Sequence, residues 1–140
     1  MIPASLSDQS FRRVAAIFEA ETGIRLTANK RALVQTRLAI RVQALKLKDL
    51  DQYCSQLETA DRAEYQALVD QLTTNETYFF REREHFDLLT EIVTRSAAPI
   101  RVWSAACSSG EEAYSLAMVL ATCRVGRPDT IRASDISARV

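Results

Sequence analysis

The sequence predicts two fold types in succession. An all-α domain covers about residues 1–95. From about residue 99 the first βαβ unit of a doubly wound α/β domain begins. Three observations carry this. Apolar residues recur at helical spacing through the first 95 residues. At Pro99 the pattern changes to an unbroken run, Ile100 to Ala106. That run is followed by a small-residue loop, another helical segment and a second short strand-like run. With 140 residues, 47% hydrophobic and 26% charged, the chain can bury a real core.

Ser7-Asp8 read as an N-cap. Phe11, Val14, Ala15 and Phe18 follow on one helical face, and Gly23 stops the helix. A second helix is predicted from about Asn29 to Leu45, and a third from about Leu50 to Leu57. A fourth runs from about Asp61 to Leu72, with Tyr65, Leu68, Val69 and Leu72 inward. A fifth runs from about Glu82 to Arg95, with Phe86, Leu89 and Val93 inward.

In the second domain Ile100–Ala106 reads as a buried strand and Cys107-Ser108-Ser109-Gly110 as a tight loop. Glu111 to Cys123 reads as a helix, Gly126-Arg127-Pro128 as a break, and Thr130 to Ile136 as the second strand. A parallel sheet needs more strands and helices on both faces. The chain therefore reads as a truncated α/β domain, or as one that a second chain completes, for instance in a strand-sharing dimer.

Net charge is zero, but the halves differ. Residues 1–50 carry nine Lys/Arg and four Asp/Glu, a balance of +5, and the remainder balances at −5. The whole chain has no pull toward nucleic acid, and an anionic partner is expected at the basic front. Cys54, Cys107 and Cys123 are odd in number with no CxxC pair, so neither a disulfide framework nor a zinc site is expected. A reducing cytoplasm suits them. No apolar run is long enough to span or insert into a membrane. The start, Met1-Ile2-Pro3-Ala4-Ser5, lacks a signal-peptide pattern.

Ligands of doubly wound sheets bind where strands end in loops. Ser108, Ser109 and Gly110 allow close backbone approach, and the next helix offers free N–H groups. Glu111 and Glu112 in its first turn repel a pyrophosphate and suit a cationic group. The same acids also complement the helix dipole. Asp135, at the end of the second strand, stands where an acid takes ribose hydroxyls. It is equally a turn former.

Between the domains lies Thr73-Thr74-Asn75-Glu76-Thr77-Tyr78-Phe79-Phe80-Arg81-Glu82. Three adjacent aromatics cannot share one helical face, which predicts a cap or linker wedged between domains. Asn75 and Thr77 are alternatively caps of the fifth helix. Arg81, beside the aromatics, suits bidentate carboxylate binding. On the second helix Lys30, Arg37, Arg41 and Lys48 form a basic seam, either a solvated face or a dock for an acidic helix. His85, the only histidine, is read as a packing or polar-contact residue rather than a metal ligand, and Cys107, beside the loop, as a small buried residue rather than a reactive thiol.

Two stretches resemble one family. Thr73 to Glu82 is similar to the interdomain signature of CheR-type chemotaxis methyltransferases. Arg101-Val102-Trp103-Ser104-Ala105-Ala106-Cys107-Ser108-Ser109-Gly110-Glu111-Glu112-Ala113-Tyr114-Ser115-Leu116-Ala117 is similar to that family's first S-adenosylmethionine (SAM) motif. Thr22-Gly23-Ile24, Lys30-Arg31, Arg37-Leu38 and Tyr53 resemble its helical domain. Ala113 stands where a Pro is usual, and Ser109 where a Thr is usual. The resemblance implies a Rossmann-like, SAM-dependent domain and methylation of chemoreceptor glutamates, yielding S-adenosylhomocysteine without a metal. It implies that Asn75, Thr77, Arg81, Glu112 and Asp135 meet the cofactor. Arg81 would act catalytically by orienting the acceptor. The basic seam, Lys30, Arg37, Arg41 and Lys48, would meet receptor helices. The family's later motif, with an Asn and a catalytic Tyr, would lie beyond Val140, so these 140 residues alone are expected to be inactive. A non-catalytic interaction module is the second reading. An NAD-type nucleotide binder is the third, opposed by Glu111-Glu112 and the single loop glycine.

Overall fold

In a computed structural model, residues 6–140 are described; the reading of Met1–Ser5 lies outside them. The chain divides between Thr73 and Thr74 into two compact units.

The first unit holds α1 (Asp8–Thr22), a 3-10 turn (Ala28–Lys30), α2 (Arg31–Ala44), α3 (Leu50–Leu57) and α4 (Arg62–Leu72). Local chemistry sets the ends. The side chains of Ser7, Asp49 and Asp61 accept hydrogen bonds from the N–H groups of Ser10, Gln52 and Glu64, each satisfying a donor that the first helical turn leaves orphaned. Gly23, at φ 71°, closes α1 in the left-handed region, and its N–H reaches Glu19 O. The second helix starts two residues later than expected, because Ala28–Lys30 winds as the tighter turn.

Leu6, Val14, Phe18, Val34, Leu38, Leu50, Tyr53, Leu57 and Leu68 are all at most 1% exposed and form one core. Each large apolar side chain so buried is worth about 1.5–3 kcal/mol. Tyr65, expected inward, is half-buried; its hydroxyl donates to Leu57 O at 2.9 Å. Tyr53 Oη donates to Glu64 Oε1 at 2.8 Å, and Arg41 Nε reaches the same oxygen at 3.0 Å. Burial, and then the bond to Glu64, push the Tyr53 phenol well above its usual range, and the Glu64 partner raises Arg41.

The second unit holds α5 (Arg83–Arg95), β1 (Arg101–Ala105), α6 (Glu111–Cys123) and β2 (Thr130–Ser134). β1 and β2 pair in parallel, from Arg101 opposite Thr130 to Ala105 opposite Ser134. Helix α5 groups with this unit and packs on α6, where the sequence reading set the helical domain at about 1–95. Neither strand is buried: of β1 only Ser104 is, and Trp103 is 66% exposed. An apolar run predicts a strand; burial needs layers stacked on both faces, and among the described residues only helices α5 and α6 accompany the sheet.

A buried staple holds this unit at the ends opposite the loop. Arg124, between α6 and β2, donates to Val93 O (2.9 Å), Ser96 O (2.5 Å) and Ala98 O (2.6 Å). It also forks onto Asp129 at 2.6 and 3.1 Å, and Asp129 Oδ1 accepts the Ile100 N–H at 2.8 Å. The guanidinium keeps the Asp129 carboxyl below its usual range. Among the described residues no helix is long and apolar enough to cross a membrane.

Candidate functional site

The site lies where both strands of the second unit end. The Ser134 carbonyl, the last of β2, accepts the N–H groups of Ala106 (2.8 Å) and Cys107 (3.0 Å) and so turns the chain leaving β1. The loop is tight: Ala106, Ser108 and Gly110 have φ of 69°, 48° and 104°. Alternating left-handed residues of this kind aim backbone N–H groups inward, which ordinarily suits an anion. Here Asp135 supplies the anion itself. Its Oδ2 accepts the Ser108 N–H at 2.8 Å, while Oδ1 accepts the Ser137 N–H at 2.8 Å. Asp135 is thus both a turn former and the acid beside the loop. The Ser108 N–H that a phosphate would need is already taken.

The acid pair of α6 is divided. Glu111 Oε2 accepts from Ser109 Oγ at 2.8 Å, within the loop. Glu112 Oε1 accepts from Ser104 Oγ at 2.6 Å, and Ser104 is only 1% exposed. A buried strand hydroxyl therefore orients an exposed carboxylate by one of its oxygens. His85 is exposed in the first turn of α5. With Phe86, Val102, Trp103 and Leu116 it lines a cleft of about 150 Å³ bordering Glu112. An open cavity of about 790 Å³ lies instead over the exposed sheet, at Arg101, Trp103 and Arg132, away from the acids.

The predicted linker comes to the same place. The Asn75 side chain donates to Ser137 Oγ at 3.1 Å, and its carbonyl accepts from Ser108 Oγ at 2.8 Å. Asn75 thus bridges the loops after β1 and β2 and does not cap α5, whose N-cap residue, Glu82, makes no side-chain cap bond. Thr77 is half-buried and makes no side-chain hydrogen bond among the described residues. Tyr78, Phe79 and Phe80 are 57%, 53% and 40% exposed. Arg81 lies between two left-handed residues, Phe80 and Glu82, both at φ 56°. Its Nη1 donates to Glu76 O at 2.6 Å, and its guanidinium lies 5.9 Å from the Tyr78 ring centre. Asn75, Glu112 and Asp135 are therefore gathered at the strand ends. Arg81 is tied to the Glu76 carbonyl, next to Asn75 in sequence, and makes no hydrogen bond to either acid among the described residues.

The seam in the first unit is not four free cations. Lys30 and Lys48 are exposed. Arg41 is paired with Glu64, the two side chains 21% and 17% exposed, and Arg37 Nη1 donates to Leu72 O and Thr73 O at 2.8 and 2.9 Å. Sequence reasoning missed Ser104, Ser115 and Ser137. Small hydroxyls at strand ends and on α6 read as spacers, and only the fold shows what they hold.

The donor set is compatible in chemical type with a cationic, hydroxyl-bearing cofactor such as SAM: an oriented carboxylate, Glu112, and a second acid, Asp135, whereas a phosphate would meet three acids and a spent N–H. Among the described residues no group of three His, Cys, Asp or Glu could hold a metal ion.

A helical unit is followed by the start of a parallel α/β unit with acids beside its strand ends. Residues 9–73 match the CheR methyltransferase all-alpha domain, and residues 75–140 match the CheR methyltransferase SAM binding domain. The chain belongs to the CheR methyltransferase family. It is 45% identical to a chemotaxis protein methyltransferase of Salmonella typhimurium, over 97% of this chain and 48% of that protein. It is 43% identical to the one from Escherichia coli, over 97% of this chain and 49% of that protein. It is 41% identical to chemotaxis protein methyltransferase 2 of Pseudomonas aeruginosa, over 94% and 49%. The chain spans about half the length of the curated relatives it matches.

Proposed function

We propose that this chain forms the receptor-facing and cofactor-binding part of a cytoplasmic enzyme that methylates glutamate side chains of chemoreceptors with SAM. The observation that carries the reading is the meeting of Asn75, Glu112 and Asp135 at two parallel strand ends, with the loop's Ser108 N–H already occupied.

In this reading Glu112, steered by Ser104, takes the methionine ammonium. Asp135 takes the ribose hydroxyls, Asn75 and Thr77 border the cofactor, and Arg81 orients the acceptor carboxylate. When bound, SAM supplies an electrophilic methyl group. An unperturbed glutamate side chain titrates at about pH 4.3 and is already ionised at neutral pH, so this chain needs no general base. Its residues contribute alignment and exclusion of water. The exposed cations Lys30 and Lys48, with Arg37 and Arg41 between them, offer the complementary surface to acidic receptor helices.

Calorimetric titration of SAM against the wild-type chain, Glu112→Ala and Asp135→Ala tests the assignment. Each loss of a charged contact should weaken binding about ten- to a hundredfold, from about 1.5–3 kcal/mol. Unchanged affinity in both variants would refute it.

A further inference from the structure

We infer that Ser115 is a positioning residue, which sets Arg81 by holding the strained turn on which it stands. The inference rests on the SAM-site reading just given and extends it to a side chain outside that reading.

Ser115 is fully buried in α6. Its hydroxyl donates to Glu111 O at 2.7 Å, one helical turn back, and accepts the Phe80 N–H at 3.0 Å. That donor belongs to an unusual segment. Phe80 and Glu82 both have φ of 56°, a conformation that non-glycine side chains disfavour and that bulky ones rarely adopt. Such strain persists where surrounding contacts over-determine it. Phe80 has two such contacts. Its ring meets Phe86 edge-on, with centroids 5.2 Å apart, and its N–H meets Ser115. The ring contact fixes the turn to α5, and the hydroxyl fixes it to α6.

Helix α6 is the element whose first turn carries Glu111 and Glu112. One buried hydroxyl therefore joins the backbone behind the candidate cofactor carboxylates to the backbone that presents Arg81. A serine between helices satisfies its own polar atoms with the i−4 carbonyl alone. The second bond, to an amide 35 residues away in sequence, is the one that transmits position.

The test compares the wild-type chain with Ser115→Ala and Ser115→Thr by amide exchange and SAM calorimetry. In Ser115→Ala the Phe80 amide should exchange at least tenfold faster, with the interior amides of Leu120 and Val93 unchanged; Ser115→Thr should restore protection. An unaltered Phe80 amide overturns the inference, and so does a uniform loss across α5 and α6, which marks a packing residue. Where the wild type binds SAM, Ser115→Ala should weaken it about three- to tenfold, with no further loss when combined with Arg81→Ala. Additive losses overturn the inference. A wild-type chain that fails to bind SAM refutes the reading of the site, while the Phe80 amide still decides the role of Ser115.

Discussion

Removing Glu64 from the helical unit is the sharpest test of how that unit is held. Glu64 receives two groups at once: the Arg41 guanidinium, in a fork, and the hydroxyl of Tyr53, a residue with no exposed surface. Breaking a buried ion pair from one side costs about 3–5 kcal/mol. Here both side chains retain some exposure, 21% and 17%, so solvent recovers part of that, leaving about 2–3 kcal/mol. The orphaned Tyr53 hydroxyl adds about 1 kcal/mol. Glu64→Ala should therefore destabilise the unit by about 3–4 kcal/mol. Tyr53→Phe, which leaves the ion pair intact, should cost about 1 kcal/mol. Urea unfolding is followed by far-UV ellipticity, because Trp103, the chain's one tryptophan, lies in the second unit. Arg41→Met combined with Glu64→Leu should recover part of the loss, since neither charge is then buried alone. A Glu64→Ala cost below about 1 kcal/mol, or a double variant worse than Glu64→Ala, would show that the network is a surface pair of little consequence.

Two further outcomes follow from the buried groups. Cys54 is 1% exposed, and burial pushes its thiol up to about 11. Its contribution to stability is present below the unfolded thiol's value, about 8.5, and is lost as pH rises toward 11. Half-buried Cys107 and Cys123 should react with an aromatic disulfide in the native protein and Cys54 only on unfolding; three thiols reacting at one native rate would contradict this. Arg124→Lys keeps the charge but loses the planar fork, so the Ile100 and Thr130 amides should exchange faster while Leu38 and Leu68 stay protected. No change at Ile100 would mean that Asp129 holds β1 without its partner.

Helix limits in the first unit were legible because they depend on neighbours in sequence. Ser7, Asp49 and Asp61 cap within three residues, and Gly23 closes α1 by its own conformation. The βαβ order and the strand-end positions of Glu112 and Asp135 were legible for the same reason. What failed to show was everything decided by distant contact. Periodicity on α5 marks Phe86 and Val93 as inward but does not say which unit they face. The Ile100–Ala106 run reads as buried, yet Trp103 is exposed, since burial depends on layers that no local pattern encodes. Arg124 lies beside Gly126-Arg127-Pro128, a segment that reads only as a break, yet it binds three carbonyls up to 31 residues away.

Arg37 carries the same point into the functional reading of the seam. A helical wheel places it with Lys30, Arg41 and Lys48, and equal charge suggests equal availability. Its guanidinium instead donates to the carbonyls of Leu72 and Thr73. Those are orphan acceptors at the end of α4, where a cation also complements the helix dipole. Thr73 is the last residue before the division of the chain, and Asn75, two residues on, holds the loop through Ser108. Arg37 thus secures the end of the helical unit from which the site segment departs. An acidic partner that took over its guanidinium would have to leave those carbonyls unsatisfied, whereas Lys30 and Lys48 are exposed and meet such a partner without that loss. Charge reversal at the two lysines therefore tests the proposed docking alone, while reversal at Arg37 would test it together with release of the carbonyls at the end of α4.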